Sequence, residues 1–301
     1  MNPRRLDWVV PPECAGVRVD TLLKRRLGLS GTVVRRIKWL EDGILVDGVR
    51  VNTRFVPQPG QVLSVRLSDP ERSSGLVPAP GPLDIVYEDQ DLVVVNKAPG
   101  VSVHPGPGHH SDTLGNFLVD YYKKTGQEAD FHPVHRLDRG TSGLMVAAKH
   151  PHAQERLKQQ LHTPRFRRVY LAVCQGMPEP PSGTVDAPLG PAEGSLVEQR
   201  VRPDGKWART HYQTLETAQG RALLRLELES GRTHQIRVHM AYLGHPLTGD
   251  FLYGTEEPGL ISRPALHSHR LAFLHPITGK ELDFTQPLPH DMARLLACPH
   301  P

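Results

Sequence analysis

His135-Arg136-Leu137-Asp138-Arg139-Gly140-Thr141-Ser142-Gly143 runs directly into Leu144-Met145-Val146-Ala147-Ala148. Two glycines, a threonine and a serine mark a loop, and the apolar run behind them marks the strand that the loop enters. Similar strand-like runs recur on either side. Ile85-Val86-Tyr87 and Leu92 to Val95 bracket the polar turn EDQD as a hairpin, and others lie at Val169–Val173 and Arg209–Leu215. Leu224, Leu226 and Leu228 alternate with Arg225, Glu227 and Glu229, the pattern of a strand with one buried face. Helical spacing intervenes at Thr113–Tyr122, Pro151–Leu161 and Thr233–Leu243. Strands outnumber helices, so the expected body is α+β with a mostly antiparallel sheet.

Upstream the character changes. Ser68 to Pro82, SDPERSSGLVPAPGP, has the composition of a linker. It separates a small module, 1–67, from the body, 83–301. Residues 1–70 hold twelve Lys/Arg against seven Asp/Glu although the whole chain is only +4, so the positive field is local. Leu22, Leu23 and Leu27 follow a possible cap at Asp20, and Val33, Val34, Ile37 and Leu40 follow Ser30. This spacing predicts two short helices joined at Gly28. Arg18, Lys24, Arg25, Arg26, Arg35, Arg36 and Lys38 lie on their polar faces, with Asp20 the one acid among them. Ile44–Val46, the turn pair Asp47-Gly48, Val49–Val51 and Val62–Leu67 read as short strands. Such a basic αα-plus-β unit suits a grip on a polyanion.

The composition excludes several classes. With 301 residues and 38% hydrophobic content this is a globular chain, and no apolar run reaches the ~20 residues of a membrane span. Cys14, Cys174 and Cys298 are far apart, which argues for a reducing compartment, and the cytoplasm is the expected location. Seventeen histidines include no set with a carboxylate or thiol at metal-ligand spacing, and no Gly-rich phosphate loop is present, so neither a metal nor a nucleotide cofactor is expected. Asp138, flanked by two arginines on a loop, lies in surroundings that favour the ionised carboxylate. On the residues alone, such an aspartate is more often a turn cap or ion-pair partner than a catalyst.

HRLDRGTSGLMV resembles the catalytic motif of the RluA-type pseudouridine synthases. Four further segments resemble the same family in the same order: NKAPGVSVHP, RRVYLAVCQG, SGRTHQIRVHMAYLGHPLTGDFLYG and ALHSHRLAFLHPITGKELDF. Ala98-Pro99 departs from the family's usual proline directly after the lysine. The amino-terminal module resembles an S-four-like RNA-binding domain, with Asp47-Gly48 where Asn-Gly is usual.

The resemblance implies an isomerase that converts uridine to pseudouridine in structured RNA, large-subunit ribosomal RNA above all, working as a monomer without a cofactor. It implies Asp138 as nucleophile, Tyr170 as the tyrosine stacked on the target base, and Arg232 as the partner that holds Asp138 ionised. Arg136 is implied to fill the space left by the flipped nucleotide. His135, His234, Arg237 and His239 fit the motifs as scaffold or RNA contacts. A carboxylate can attack the anomeric carbon, add to the base or remove a sugar proton, and the residues leave these routes open. Two other classes also stay open: an RNA-assembly factor without chemistry, and an RNA glycosylase that would release free uracil.

Overall fold

Strand Ser142–Ala148 is buried at every position, because helices cover both sides of the sheet at this point. Met145 and Ala147 point into a core with Leu118, Val119 and Tyr122. Leu144, Val146 and Ala148 point the other way, onto Ala153 and Leu157. The period-two alternation of a strand sends successive side chains to opposite faces, so two covered faces require an unbroken apolar run.

The structure, a computed structural model, describes residues 3–68, 74–106, 108–195 and 197–297. The first part of the chain folds as β1 (Arg5–Val9), α1 (Val19–Arg25), α2 (Gly31–Ile37), β2 (Ile44–Val46), β3 (Val49–Arg50) and β4 (Val62–Arg66). Its antiparallel sheet has the order β1-β4-β2-β3 and its own core, including Leu22, Leu23, Val34, Ile44 and Leu63. Ser30 caps α2 through its side chain, which accepts from Val33 N at 3.3 Å. Asp20, by contrast, lies inside α1 and pairs with Lys24 at 3.0 Å. The cap position of that helix is Arg18, whose side chain makes no cap hydrogen bond.

The second part contains β5 (Ile85–Glu88), β6 (Leu92–Lys97), α3 (Leu114–Lys124), β7 (His132–Pro133), β8 (Ser142–Ala148), α4 (Pro151–Lys158) and β9 (Arg167–Gln175). It continues with β10 (Ser182–Asp186), β11 (Leu189–Pro191), β12 (Gln199–Val201), β13 (Arg209–Ala218) and β14 (Arg221–Leu228). The last elements are α5 (Gln235–Tyr242), β15 (Leu266–Leu274), β16 (Glu281–Thr285) and α6 (His290–Ala293). The main sheet runs β10-β13-β14-β9-β15-β8-β6-β5, with β16 on β15 and β7 on β8. Among the described strands only β15 and β8 pair in parallel, His267 opposite Ser142 and Ser268 opposite Gly143. The fold is therefore α+β and mostly antiparallel. Gly143 makes that central pairing possible: its φ is +108°, and a Cβ there would lie 2.3 Å from the Ser268 carbonyl oxygen.

Of the proposed linker, residues 69–73 lie outside the described residues, as does Cys298. From Ser74 onward the chain is tied to the body. Ser74 donates to Asp130 through its N–H at 2.7 Å and its hydroxyl at 2.6 Å, and Asn116 Nδ2 donates to the Val77 carbonyl at 2.8 Å. The small sheet is tied down as well. Arg4 donates to both oxygens of Asp91, at 2.7 and 2.9 Å, and Arg66 pairs with Glu128. Asp91 also accepts from His150 Nε2 at 2.9 Å. Asp89, Asp91 and His275 bring ligand-type atoms within 4.8 Å of one another, but these atoms are engaged by Arg4, His150, Tyr87 and backbone N–H groups. Among the described residues no helix is long and apolar enough to cross a membrane.

Candidate active site

The loop 134–141 leaves β7 and enters β8 beside the parallel pair at the centre of the sheet. It is held from three directions. Gly100 N donates to the Arg139 carbonyl at 2.8 Å, and Arg139 Nε returns a bond to the Gly100 carbonyl at 2.9 Å. Arg263, buried and bidentate to Asp291, reaches the Gly140 carbonyl at 3.3 Å. Lys97, only 2% exposed, donates to the carbonyls of Ala98 (2.9 Å), Val101 (2.8 Å) and Arg139 (3.2 Å). Burial pushes the Lys97 ammonium down to about 7, with the Asp138 charge opposing that shift and Arg263 adding to it. Three carbonyl acceptors match the three protons of the charged form.

Asp138 stands half-buried on the wall of a cavity of about 220 Å³ lined also by Tyr170, His135, Arg168, Arg232, His234 and Leu266, among others. Tyr170 comes from β9, where it pairs in register with Leu226 and Ser268. Burial raises its pKa, Arg168 opposes that and Asp138 adds to it, so the phenol is held neutral. Arg136 lies on the same cavity but is exposed to solvent. His135 is turned inward. Its Nε2 accepts from Val146 N at 3.4 Å, its ring meets Phe166 edge-on at 5.7 Å, and burial followed by the Arg168 charge lowers its pKa to about 3. Arg168 gives no sign in the sequence of lining this cavity: there it is one of two basic residues at the start of a strand, and only the sheet turns it inward.

The segment 230–235 is organised by Gln235, whose amide is fully used. Its oxygen accepts from Ser230 Oγ at 2.8 Å and from Arg232 N at 3.0 Å, and its nitrogen donates to the Arg209 carbonyl and Thr210 Oγ1, both at 3.0 Å. His234 then adopts φ +56°, ψ 19°, a left-handed conformation uncommon for a residue with a side chain. Its Nδ1 lies 2.8 Å from the Tyr253 hydroxyl. His239 is wholly internal and bridges Thr210 Oγ1 (2.8 Å) and the Ala187 carbonyl (2.9 Å).

The expected pairing of Arg232 with Asp138 is not made. Arg232 Nε donates to the Trp207 carbonyl at 2.9 Å, and among the described residues no ion pair joins it to Asp138. Arg237, five residues further on and read from the sequence as scaffold or RNA contact, interacts with the Asp138 charge, as Lys97 does. Its guanidinium is bidentate to the fully buried Asp250 at 2.7 and 2.7 Å. Burial lowers its pKa, but Asp250 and then Asp138 outweigh this and raise it overall. The difference follows from helix geometry. Arg232 precedes the left-handed residue His234 and reaches the Trp207 carbonyl, whereas Arg237 lies within α5 and packs on Asp250, Phe251 and Tyr253.

The basic residues of the small sheet divide into two groups. Arg18, Lys24, Arg25, Arg26 and Arg35 are exposed, and Lys38 is half-buried against the open ring of Trp39 at 4.8 Å. Arg36 is half-buried instead, and its charge interacts with Asp130 of the body. It faces the junction between the two sheets.

Comparison with known proteins gives a consistent result. Residues 91–242 match the family model described as RNA pseudouridylate synthase. The chain is 43% identical to the uncharacterized RNA pseudouridine synthase YlyB of Bacillus subtilis (strain 168), covering 97% of each. It is 39% identical to the ribosomal large subunit pseudouridine synthase D of Escherichia coli O157:H7, over 85% of this chain and 84% of that one. Among solved structures, human RNA pseudouridylate synthase domain containing 4 superposes with a TM-score of 0.57 at 27% identity, covering 70% of this chain and 90% of that one.

Proposed function

Because this chain belongs to the RNA pseudouridylate synthase family, we propose that it isomerises uridine in structured large-subunit ribosomal RNA, with the Asp138 carboxylate as nucleophile. The observation that carries the assignment is the position of Asp138. It is half-buried on the wall of a cavity that also presents the neutral Tyr170 phenol, on a loop pinned by Lys97, Gly100 and Arg263. The name of the Escherichia coli relative supports ribosomal RNA as substrate.

The chemistry asks little else of the protein. The bond between uracil N1 and the ribose anomeric carbon breaks, the base turns, C5 joins the anomeric carbon, the C5 proton leaves and N1 gains a proton. Nothing is oxidised and no group is imported. A cavity of about 220 Å³ suits a single ring. Tyr170 offers it a stacking face and a phenol near C5. Arg237, rather than Arg232, keeps positive charge beside the carboxylate, and Arg232 is left for RNA. Arg136, exposed two residues before Asp138, fills the gap in the stack when the uridine flips. The exposed arginines of α1 and α2 anchor the RNA by its phosphates, as an S-four-like module would.

The test is Asp138→Asn, which removes the nucleophile but keeps the shape and most of the hydrogen-bonding capacity. Tritium release from carbon-5-labelled RNA under multiple turnover should vanish, while RNA affinity stays within a few-fold of wild type. Clear residual turnover by the pure variant would refute Asp138 as nucleophile, and release of free uracil by the wild type would assign glycosidic hydrolysis instead.

A further inference from the structure

Asp138, Thr141 and His234 form a wall with two sides. On one side is the cavity of Tyr170; on the other is a second and larger one, of about 590 Å³. Phe251 borders it and is 59% exposed. The Arg237 guanidinium lies over its ring, 5.7 Å from the centroid, and more than half of the residue is open to solvent. Leu252 and Pro264 supply further apolar wall. Arg139, also on the border, is exposed; its Nε is bonded to Gly100, its charge interacts with that of Asp112, and the remaining guanidinium N–H groups make no hydrogen bond among the described residues. An exposed aromatic ring in the same cavity as a guanidinium with N–H groups to spare is what a nucleotide recognises: the base stacks and the phosphate pairs. Because the two cavities share the Asp138 wall, an occupant of the second lies directly beside the reacting uridine. The group a uridine in RNA necessarily brings is its covalent neighbour.

We propose that this cavity binds the nucleotide next to the target uridine in the same RNA strand, its base stacked on Phe251 and the joining phosphate at Arg139. The subsite rests on the assignment of the chain as an RNA pseudouridine synthase. It makes the choice of uridine depend in part on the neighbour's ability to leave the helix and stack here.

The probe is an unmodified transcript of large-subunit ribosomal RNA, in which the modified uridine is first mapped. Fragments carrying that uridine are then made with an abasic residue at each neighbouring position in turn. On the intact fragment Phe251→Ala should lower kcat/KM by roughly 5- to 150-fold, the range for losing one base–aromatic stack, and Phe251→Trp should stay within about threefold of wild type, since the larger ring still stacks. At one abasic position the wild type should lose the same factor and Phe251→Ala should lose no more. An undiminished loss for Phe251→Ala at every abasic position, or no loss on the intact fragment, overturns the subsite. If the wild type modifies no uridine of the transcript, the functional assignment itself falls and takes the subsite with it.

Discussion

Replacing Arg237 by methionine separates structural from catalytic work in α5. Arg237 and Asp250 have side-chain exposures of 5% and 0% and share two hydrogen bonds of 2.7 Å. Removing one partner of a buried pair costs about 3–5 kcal/mol. Asp250 keeps the N–H groups of Leu252 (3.1 Å) and Tyr253 (3.2 Å), which places the cost near ~3 kcal/mol, or a fall in Tm of about 6–12 °C for a body of this size. Asp250→Asn breaks the same pair at a comparable cost but leaves the guanidinium in place. The two variants therefore match in stability and differ in the charge beside Asp138. A unit charge at ~6 Å with an effective dielectric of ~20 is worth about 3 kcal/mol, so Arg237→Met should slow single-turnover pseudouridine formation roughly 100-fold. Asp250→Asn should stay within about tenfold of wild type, since its charge beside Asp138 is kept. The assay is quenched single turnover at 25 °C, where both variants remain folded by circular dichroism. Equal losses in the two variants would falsify the idea that Arg237 acts on Asp138 by its charge, leaving it a packing role.

Two further expectations concern binding and pH. Charge reversal at the exposed Arg25 and Arg26 should weaken RNA binding and reduce the slope of log affinity against log salt by about one for each phosphate that is no longer neutralised, measured by filter binding from low to moderate salt; an unchanged slope removes these residues from the interface. His135 is held neutral, its pKa lowered to about 3 by burial and Arg168, whereas in the unfolded chain it titrates near ~6.5. The unfolded state therefore binds a proton that the fold refuses. The stability this contributes is complete above pH ~6.5 and is lost as pH falls toward ~3, with about 2 kcal/mol gone by pH ~5. His135→Gln, which cannot titrate, should show that much less loss between neutral pH and pH ~5 in urea melts, and an identical loss would show that the proton goes elsewhere.

The amino-acid sequence alone was enough for the class of fold and the family. Alternation at Leu224, Leu226 and Leu228, the apolar run after Gly143 and the spacing in Val19–Ile37 are local patterns, and local patterns are set by the two- and 3.6-residue periods of strand and helix. Motif order carried the family in the same way, because each motif is a contiguous segment. Strand Arg5–Val9 is not legible there for a related reason. It is short, carries Arg5 and Asp7 within it, and is a strand only because Val62–Arg66, more than fifty residues later, pairs with it.

The partners of the candidate site were decided by tertiary structure. Nothing in GRTHQIR says that His234 takes a left-handed conformation, that Arg232 bonds the Trp207 carbonyl, or that Arg237 pairs with Asp250 within electrostatic reach of Asp138. Arg36 looks like its neighbours until packing turns it toward Asp130. Lys97 and Arg139 lie 42 residues apart and meet only when β6 pairs with β8. Periodicity determines which face a side chain occupies; only the meeting of distant elements determines what that face meets, because burial and charge act through space and not along the chain.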